Sequence, residues 1–242
     1  MCKTVKGKLL ELFNLNPITE EPKDYVSIVD MGLIWRLATP TSEDRESRKR
    51  NGSEYCWSDY LDKLCAIIYS RHANACLIIL VNDKYDLLFS IKDDEHNCRA
   101  VKYPHVPNVF PKPEDIFPKA YEFNEFMFNS GNKVRLQKVV KEQLKSKVDQ
   151  VRGDVIYCEG ESSTNLSTGV VSRSYVFKHP EADTMLISAY SELRTNDYIG
   201  TVLIDSEDTD VFVQSGYVSH QLQGDLIIKH KHAIINCSSM LT

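Results

Sequence analysis

Three short apolar runs, each leading into aspartate, constrain this 242-residue chain more than any other feature. They are Tyr25-Val-Ser-Ile-Val-Asp30, Leu77-Ile-Ile-Leu-Val-Asn-Asp83 and Gly200-Thr-Val-Leu-Ile-Asp-Ser-Glu-Asp208-Thr-Asp210. Continuous β-branched runs of this length suit strands buried on both faces of a parallel sheet. In such sheets ligands bind beyond the carboxyl ends of the strands. Acids placed there converge on one crevice, repel one another and call for a hard cation, Mg²⁺ or Mn²⁺.

The rest of the chain agrees with an α/β architecture. Amphipathic stretches predict helices over about 4–14, over Glu54 to His72 with Tyr60, Leu64, Ile67 and Ile68 inward, and near Ser90 to Arg99. Residues 40–53 read as a polar, mobile loop. Pro104, Pro107, Pro111, Pro113 and Pro118 interrupt a segment rich in aromatics, predicting an irregular insertion over 100–130 that could act as a lid. Trp35, Trp57 and the aromatics from Tyr121 to Phe128 read as core. A helix follows over Asn132 to Val148. Leu136, Val139, Val140, Leu144 and Val148 lie on one arc, and Arg135, Lys138, Lys141 and Lys145 on the other.

The second half restarts with a strand at Asp154-Val-Ile-Tyr-Cys158, followed by a Ser/Thr/Gly-rich loop. A helix opens at His179-Pro-Glu-Ala-Asp-Thr184, where Pro180 suits the first turn. The acidic third strand leads into a short helix near Val211 to Ser215, and the tail reads as two edge strands around a basic turn carrying His230 and His232. These alternating elements predict a single domain over 1–242: a first half over 24–100, an insertion and basic helix over 101–150, and a second half over 151–242.

Composition narrows the function classes. No run of about 18 apolar residues occurs, so no membrane-spanning helix is expected. The first ten residues lack the long apolar core of a signal peptide, and the seven cysteines are an odd number without C-x-x-C pairs. An intracellular chain, nuclear or cytoplasmic, with reduced thiols follows. The net charge of −5 speaks against nucleic acid only until the strand-end acids are set aside as cation ligands. Phosphate-binding loops, nucleophile elbows and EF-hand loops have no counterpart here. Taken singly, Asp30 and Asp83 read as turn residues. Glu181 and Asp183 suit a helix's first turn, and Asp208 and Asp210 suit a cap.

Together these residues resemble the PIN-like nucleases, particularly the flap-endonuclease group. His179-Pro-Glu-Ala-Asp-Thr184 is similar to that group's acid-Ala-acid helix start, and Asp205-Ser-Glu-Asp-Thr-Asp210 to its acid-x-acid turn. Asp30 and Asp83 match its first two carboxylates, and Ser90-Ile-Lys92 to Arg99 resembles its helix bearing a lysine and an arginine. The longer acidic phrase is also similar to one in animal proteins that look transposon-associated.

The resemblance implies a PIN-like three-layer fold, with a central, mostly parallel sheet flanked by helices. It implies metal-dependent hydrolysis of DNA or RNA phosphodiesters. Asp30, Asp83, Glu181, Asp183, Asp208 and Asp210 would hold two Mg²⁺ or Mn²⁺ ions about 4 Å apart. Lys92 and Arg99 would neutralise charge on the phosphate. Arg135, Lys138, Lys141 and Lys145 would contact the nucleic-acid backbone. The group's further aspartate, beyond the next strand, has no clear counterpart before Thr242, because Asp225 precedes a strand. The alternative on the same residues is therefore a catalytically silent module that binds nucleic acid or protein. An aspartyl-phosphate phosphatase would need Asp-x-Asp at the first strand, which Asp30-Met-Gly32 does not provide.

Overall fold

The computed structural model describes residues 17–20, 22–85, 107, 109–159, 161–177, 181–230 and 233–240. Its strands are β1 (Tyr25–Asp30), β2 (Ala75–Val81), β3 (Asp154–Glu159), β4 (Ser162–Asn165), β5 (Val171–Ser172), β6 (Val202–Asp205), β7 (Leu226–His230) and β8 (Ala233–Asn236). The helices among the described residues are α1 (Met31–Ala38), α2 (Ser42–Arg50), α3 (Trp57–Arg71), α4 (Ala120–Phe126), α5 (Ser130–Lys145), α6 (Ala182–Thr195) and α7 (Thr209–Ser219). The helices expected over 4–14 and near Ser90 to Arg99 lie outside the described residues.

All eight strands form one sheet in the order β5-β4-β3-β2-β1-β6-β7-β8. The β3-β2-β1-β6-β7 ladder is parallel, and β4, β5 and β8 add antiparallel edges. The apolar runs thus became the central strands: every residue of β1 from Tyr25 to Val29 is buried. The chain divides into two compact units. One comprises Met1–Leu33, His72–Asp83 and Val151–Thr242, and the other Ile34–Arg71 and Lys84–Gln150.

The first unit holds the sheet. Side chains alternate along a strand, so Val26 and Ile28 of β1 and Val202 and Ile204 of β6 share one face. Met185, Leu186 and Ala189 of α6 and Phe212 of α7 close over that face. Fully burying each aliphatic side chain there stabilises the fold by about 1.5–3 kcal/mol. Gly153 is required by close approach at the entry to β3, where a Cβ would stand 2.4 Å from the Cys76 carbonyl oxygen.

The second unit is built on aromatic contacts. Trp57 packs on Phe117, Phe123 and Phe126 with ring centroids 4.7, 6.1 and 5.3 Å away. Tyr60 stacks on Phe117 at 4.7 Å. Along α5, Leu136, Val140 and Leu144 are buried at i, i+4 spacing, and Tyr69 of α3 donates its hydroxyl to the Leu144 carbonyl at 2.8 Å.

Several expected boundaries change. Residues 42–50 form a helix rather than a loop. Thr41 caps α2 and Asp44 closes a capping box. Acids in its first turn and Arg48, Lys49 and Arg50 in its last suit the helix dipole. The Pro-rich stretch is not wholly irregular, and its described part is tied down. It contains α4, Trp57 N–H and Ser58 N–H donate to Asp115 and Pro113 carbonyls, and Phe117 N–H donates to the Tyr55 carbonyl. Buried Asn132 accepts from Val109 N–H at 2.8 Å and donates to the Pro107 carbonyl at 3.1 Å. Such lacing packs the described part of the stretch against α3.

The Ser/Thr/Gly-rich loop includes the β4–β5 pairing, with Ser163 and Ser172 hydroxyls 2.9 Å apart. The helix after the acidic turn runs on to Ser219. Only β8 of the tail is an edge strand, since β7 pairs with β6 and β8. His230 is accordingly buried against Phe212 instead of solvating an edge; His232 lies outside the described residues. Among the expected core aromatics, Trp35, Trp57, Phe123 and Phe126 are buried, whereas Tyr121 is exposed.

Candidate functional site

In a parallel ladder every strand delivers its last residue to the same edge. Here Asp30 is level with Val81, Val29 with Asp205, and Val81 with Cys158. Asp30 ends β1, Asp83 lies two residues past β2, and Asp205 ends β6. Glu181 and Asp208 occupy the N-cap positions of α6 and α7, with Asp183 and Asp210 in the first turns.

Backbone N–H groups fix several of these carboxylates. Asp30 Oδ1 accepts from Gly32 N–H at 2.8 Å. A Cβ at Gly32 would lie 3.1 Å from that oxygen, so glycine leaves room for the carboxylate to fold back. Asp83 Oδ1 accepts from Ala182 N–H at 2.7 Å, joining the end of β2 to the start of α6 across 99 positions. Glu181, the N-cap residue itself, makes no side-chain cap bond. Asp208 Oδ1 accepts from Asp210 N–H at 2.8 Å, the capping geometry expected of an aspartate there.

Ser206 links two of these acids. Fully buried, its hydroxyl donates to Asp30 Oδ2 at 3.4 Å and accepts from Asp208 N–H at 3.2 Å. Ser206, Asp205 and Glu159, which ends β3 at the same edge, stand beside the six acids expected from the sequence. His72, the last residue of the stretch expected as a helix, has its imidazole 2.9 Å from Ser27 Oγ and 3.2 Å from Asp205 Oδ2. A polar residue interrupting an apolar strand, such as Ser27, was the available signal.

An all-carboxylate donor set fits a hard divalent cation in chemistry. Backbone bonds to ligating carboxylates orient them, as outer-shell partners do in metal sites. Among the described residues, however, no three His, Cys, Asp or Glu side chains are gathered into a metal-holding group. An entering cation would have to draw the acids together.

Lys92, Arg99 and His179 lie outside the described residues. The basic residues of α5 belong to the second unit. Lys138 and Lys145 are exposed, while Arg135 and Lys141 are half-buried. The Arg135 guanidinium sits 4.1 Å from the ring centroid of Phe110, which is itself exposed. Asp225 stands before β7, at the opposite edge from the strand-end acids. Its carbonyl accepts from Val202 N–H and from Arg194 Nη2.

Among the described residues no helix is long and apolar enough to cross a membrane. The chain is an α/β protein with a mostly parallel eight-stranded sheet. No known protein-family model matches its sequence, and no curated protein does either.

Proposed function

We propose that this chain is a divalent-metal-dependent nuclease of PIN-like organisation that hydrolyses nucleic-acid phosphodiesters. The observation that carries the reading is the delivery of acids from separate chain segments to one carboxyl edge: Asp30, Asp83, Glu181, Asp183, Asp208 and Asp210. Asp83 bound to α6, and Ser206 joining Asp30 to Asp208, tie these acids into two linked groups. Mg²⁺ or Mn²⁺ held there would supply an activated water and charge stabilisation at the phosphate. The chain's own contribution is to orient the carboxylates. In the second unit, Arg135, Lys138, Lys141 and Lys145 would contribute sequence-independent phosphate contacts, to DNA or RNA.

A second reading, a silent module that binds nucleic acid or protein, is favoured by one observation: Asp30, Asp83 and Asp208 already serve backbone N–H groups.

Cleavage assays separate the two. The purified chain is incubated with labelled single-stranded, duplex and flapped DNA and matching RNAs, with Mn²⁺ or EDTA. Asp208→Asn/Asp210→Asn is the control, because asparagine caps a helix about as well as aspartate. Mn²⁺-dependent cleavage lost in the double variant is expected. A folded wild-type chain that binds but never cuts would establish the silent module. Charge reversal at Lys138 and Lys141 should weaken binding and flatten its salt dependence; an unaltered salt slope would make the basic arc of α5 a plain solvated face.

A further inference from the structure

Helix α2 is held in the second unit by charged and polar side chains, and it contains no buried residue. Its ties are the Thr41 cap, the Arg45 guanidinium on the Phe117 and Pro118 carbonyls, and the Asp44–Lys63 and Arg48–Asp59 ion pairs. Surface ion pairs contribute little, and a nine-residue helix without an apolar face is marginal by itself. Its last turn is therefore the kind of segment that opens while the rest of the unit stays folded.

That turn leads into Asn51-Gly52-Ser53, which holds the only Asn-Gly step in the sequence. All three residues are exposed. Asn51 is the C-cap of α2, and Gly52 follows at φ +75°, the left-handed region that favours glycine. The chemistry follows from the missing side chain. An asparagine amide carbon is open to attack by the backbone nitrogen of the next residue, and a side chain on that residue obstructs the approach. Glycine leaves it clear. In the closed helix end, Gly52 N–H donates to the Lys49 carbonyl and Asn51 N–H to the Arg48 carbonyl, both at 3.0 Å, which ties the nitrogen down. Opening of the last turn frees it. Asn129, Asn132, Asn165 and Asn236 differ on both counts: their side chains accept backbone N–H bonds, and none precedes glycine.

We propose that Asn51 is a self-modification site, gated by the opening of α2, which converts to aspartate and isoaspartate with water as the co-reactant. The Gly52 nitrogen bonds to Asn51 Cγ. The Cγ–Nδ2 bond breaks, and Nδ2 leaves as ammonia with the Gly52 proton. Water then opens the cyclic imide at either carbonyl. One cleavage gives aspartate; the other gives isoaspartate, whose main chain is longer by the side-chain methylene. Either product puts a carboxylate at the carbonyl end of α2, where the helix dipole opposes it. It also joins Asp44, Asp59 and Asp62 around a cleft of about 420 Å³ that Asn51 lines. Arg48, Lys49 and Arg50 partly offset that charge. The longer backbone of isoaspartate then misplaces the Gly52 turn that closes the helix end. The product loosens α2, in a reaction that needs no enzyme and holds whether or not the chain cuts nucleic acid.

The test incubates the full chain at mildly alkaline pH and follows peptide masses, ammonia release and an isoaspartate-specific assay. Conversion is expected at Asn51 before any other asparagine. Hydrogen exchange should show protection falling in α2 while α3 and α5 keep theirs. Asn51→Gln, which closes the ring far more slowly, should remove the early ammonia. Thr41→Ala/Glu46→Gly loosens α2 at two exposed positions, and circular dichroism checks that it stays folded. It should convert about fivefold faster or more, the effect of a lost cap and a helix glycine on the opening equilibrium. Asn51 still intact after another asparagine has converted would overturn the site. An unmoved rate in the folded double variant would overturn α2 as its gate. Full protection of α2 in the converted chain would overturn the loosening.

Discussion

The two units reach stability by different chemistry. The first buries aliphatic, β-branched strands such as Val26-Ser-Ile-Val29 beneath α6 and α7, with polar residues concentrated at the carboxyl edge and in one closed chain. The second gathers Trp57, Tyr60, Phe117, Phe123 and Phe126 into a cluster that fixes a Pro-rich stretch against α3. Strand ladders spread stabilisation over many equivalent aliphatic contacts. An aromatic cluster concentrates it in a few rings, each burying about 150–250 Å².

That contrast can be broken most directly by truncation. Phe117→Ala should cost about 3–5 kcal/mol and Ile79→Ala about 2–5 kcal/mol. Native-state hydrogen exchange reads where the loss falls. Phe117→Ala is expected to lower protection in α3 and α5 while β1 and β6 keep theirs. Equal loss throughout the sheet would mean that the two units unfold as one and the distinction is only geometric.

Thiol chemistry sharpens the comparison at the next scale. Cys76, on β2, is exposed, whereas Cys65, on α3, is buried and its pKa is pushed up from 9.0 to about 12 by that burial. Iodoacetamide mapped by peptide mass should modify Cys76 readily at pH 8 and leave Cys65 unmodified until unfolding. Because the folded-state pKa is raised, the neutral Cys65 thiol contributes stability that is fully present below about pH 9. That contribution is lost as pH rises toward 12. Burial also pushes the Tyr55 hydroxyl up to about 12, so its contribution is lost in the same direction above about pH 10. Urea midpoints at pH 8 and pH 10.5 should fall accordingly; an unchanged midpoint would remove this account of both groups.

The smallest effect is expected at α2. Thr41→Ala removes the cap of a helix without buried residues and should cost about 1 kcal/mol. Thermal unfolding would report it, and a null result would mean that α2 is held by Arg45 on the Phe117 and Pro118 carbonyls and not by its cap.

Legibility in the sequence followed the same division. Aliphatic runs announced β1, β2, β3 and β6, and i, i+4 spacing announced α3 and α5. Their common parallel edge followed from strand order, which is why the acids could be assigned to one side of the sheet. Helix α2 escaped because Ser42–Arg50 has no apolar stripe, although Thr41 and Asp44 spell a capping box. The β4–β5 pairing escaped because hydroxyl-rich residues give no hydrophobic alternation. His72 read simply as the end of a helix. Its partners, Ser27 and Asp205, come from distant strands, and spacing along the chain carries no sign of that meeting.

The strand order also sets a timetable for assembly. β1 lies in the middle of the parallel ladder, with β2 on one side and β6 on the other. Asp30 and Ser206 are separated by 176 positions, so at ordinary translation rates β1 waits on the order of ten seconds for its second neighbour. Throughout that interval the central strand of the ladder has one side open to wrong partners. A chain of this topology emerging from the ribosome would gain from a holding chaperone that binds β1 and releases it once β6 is made.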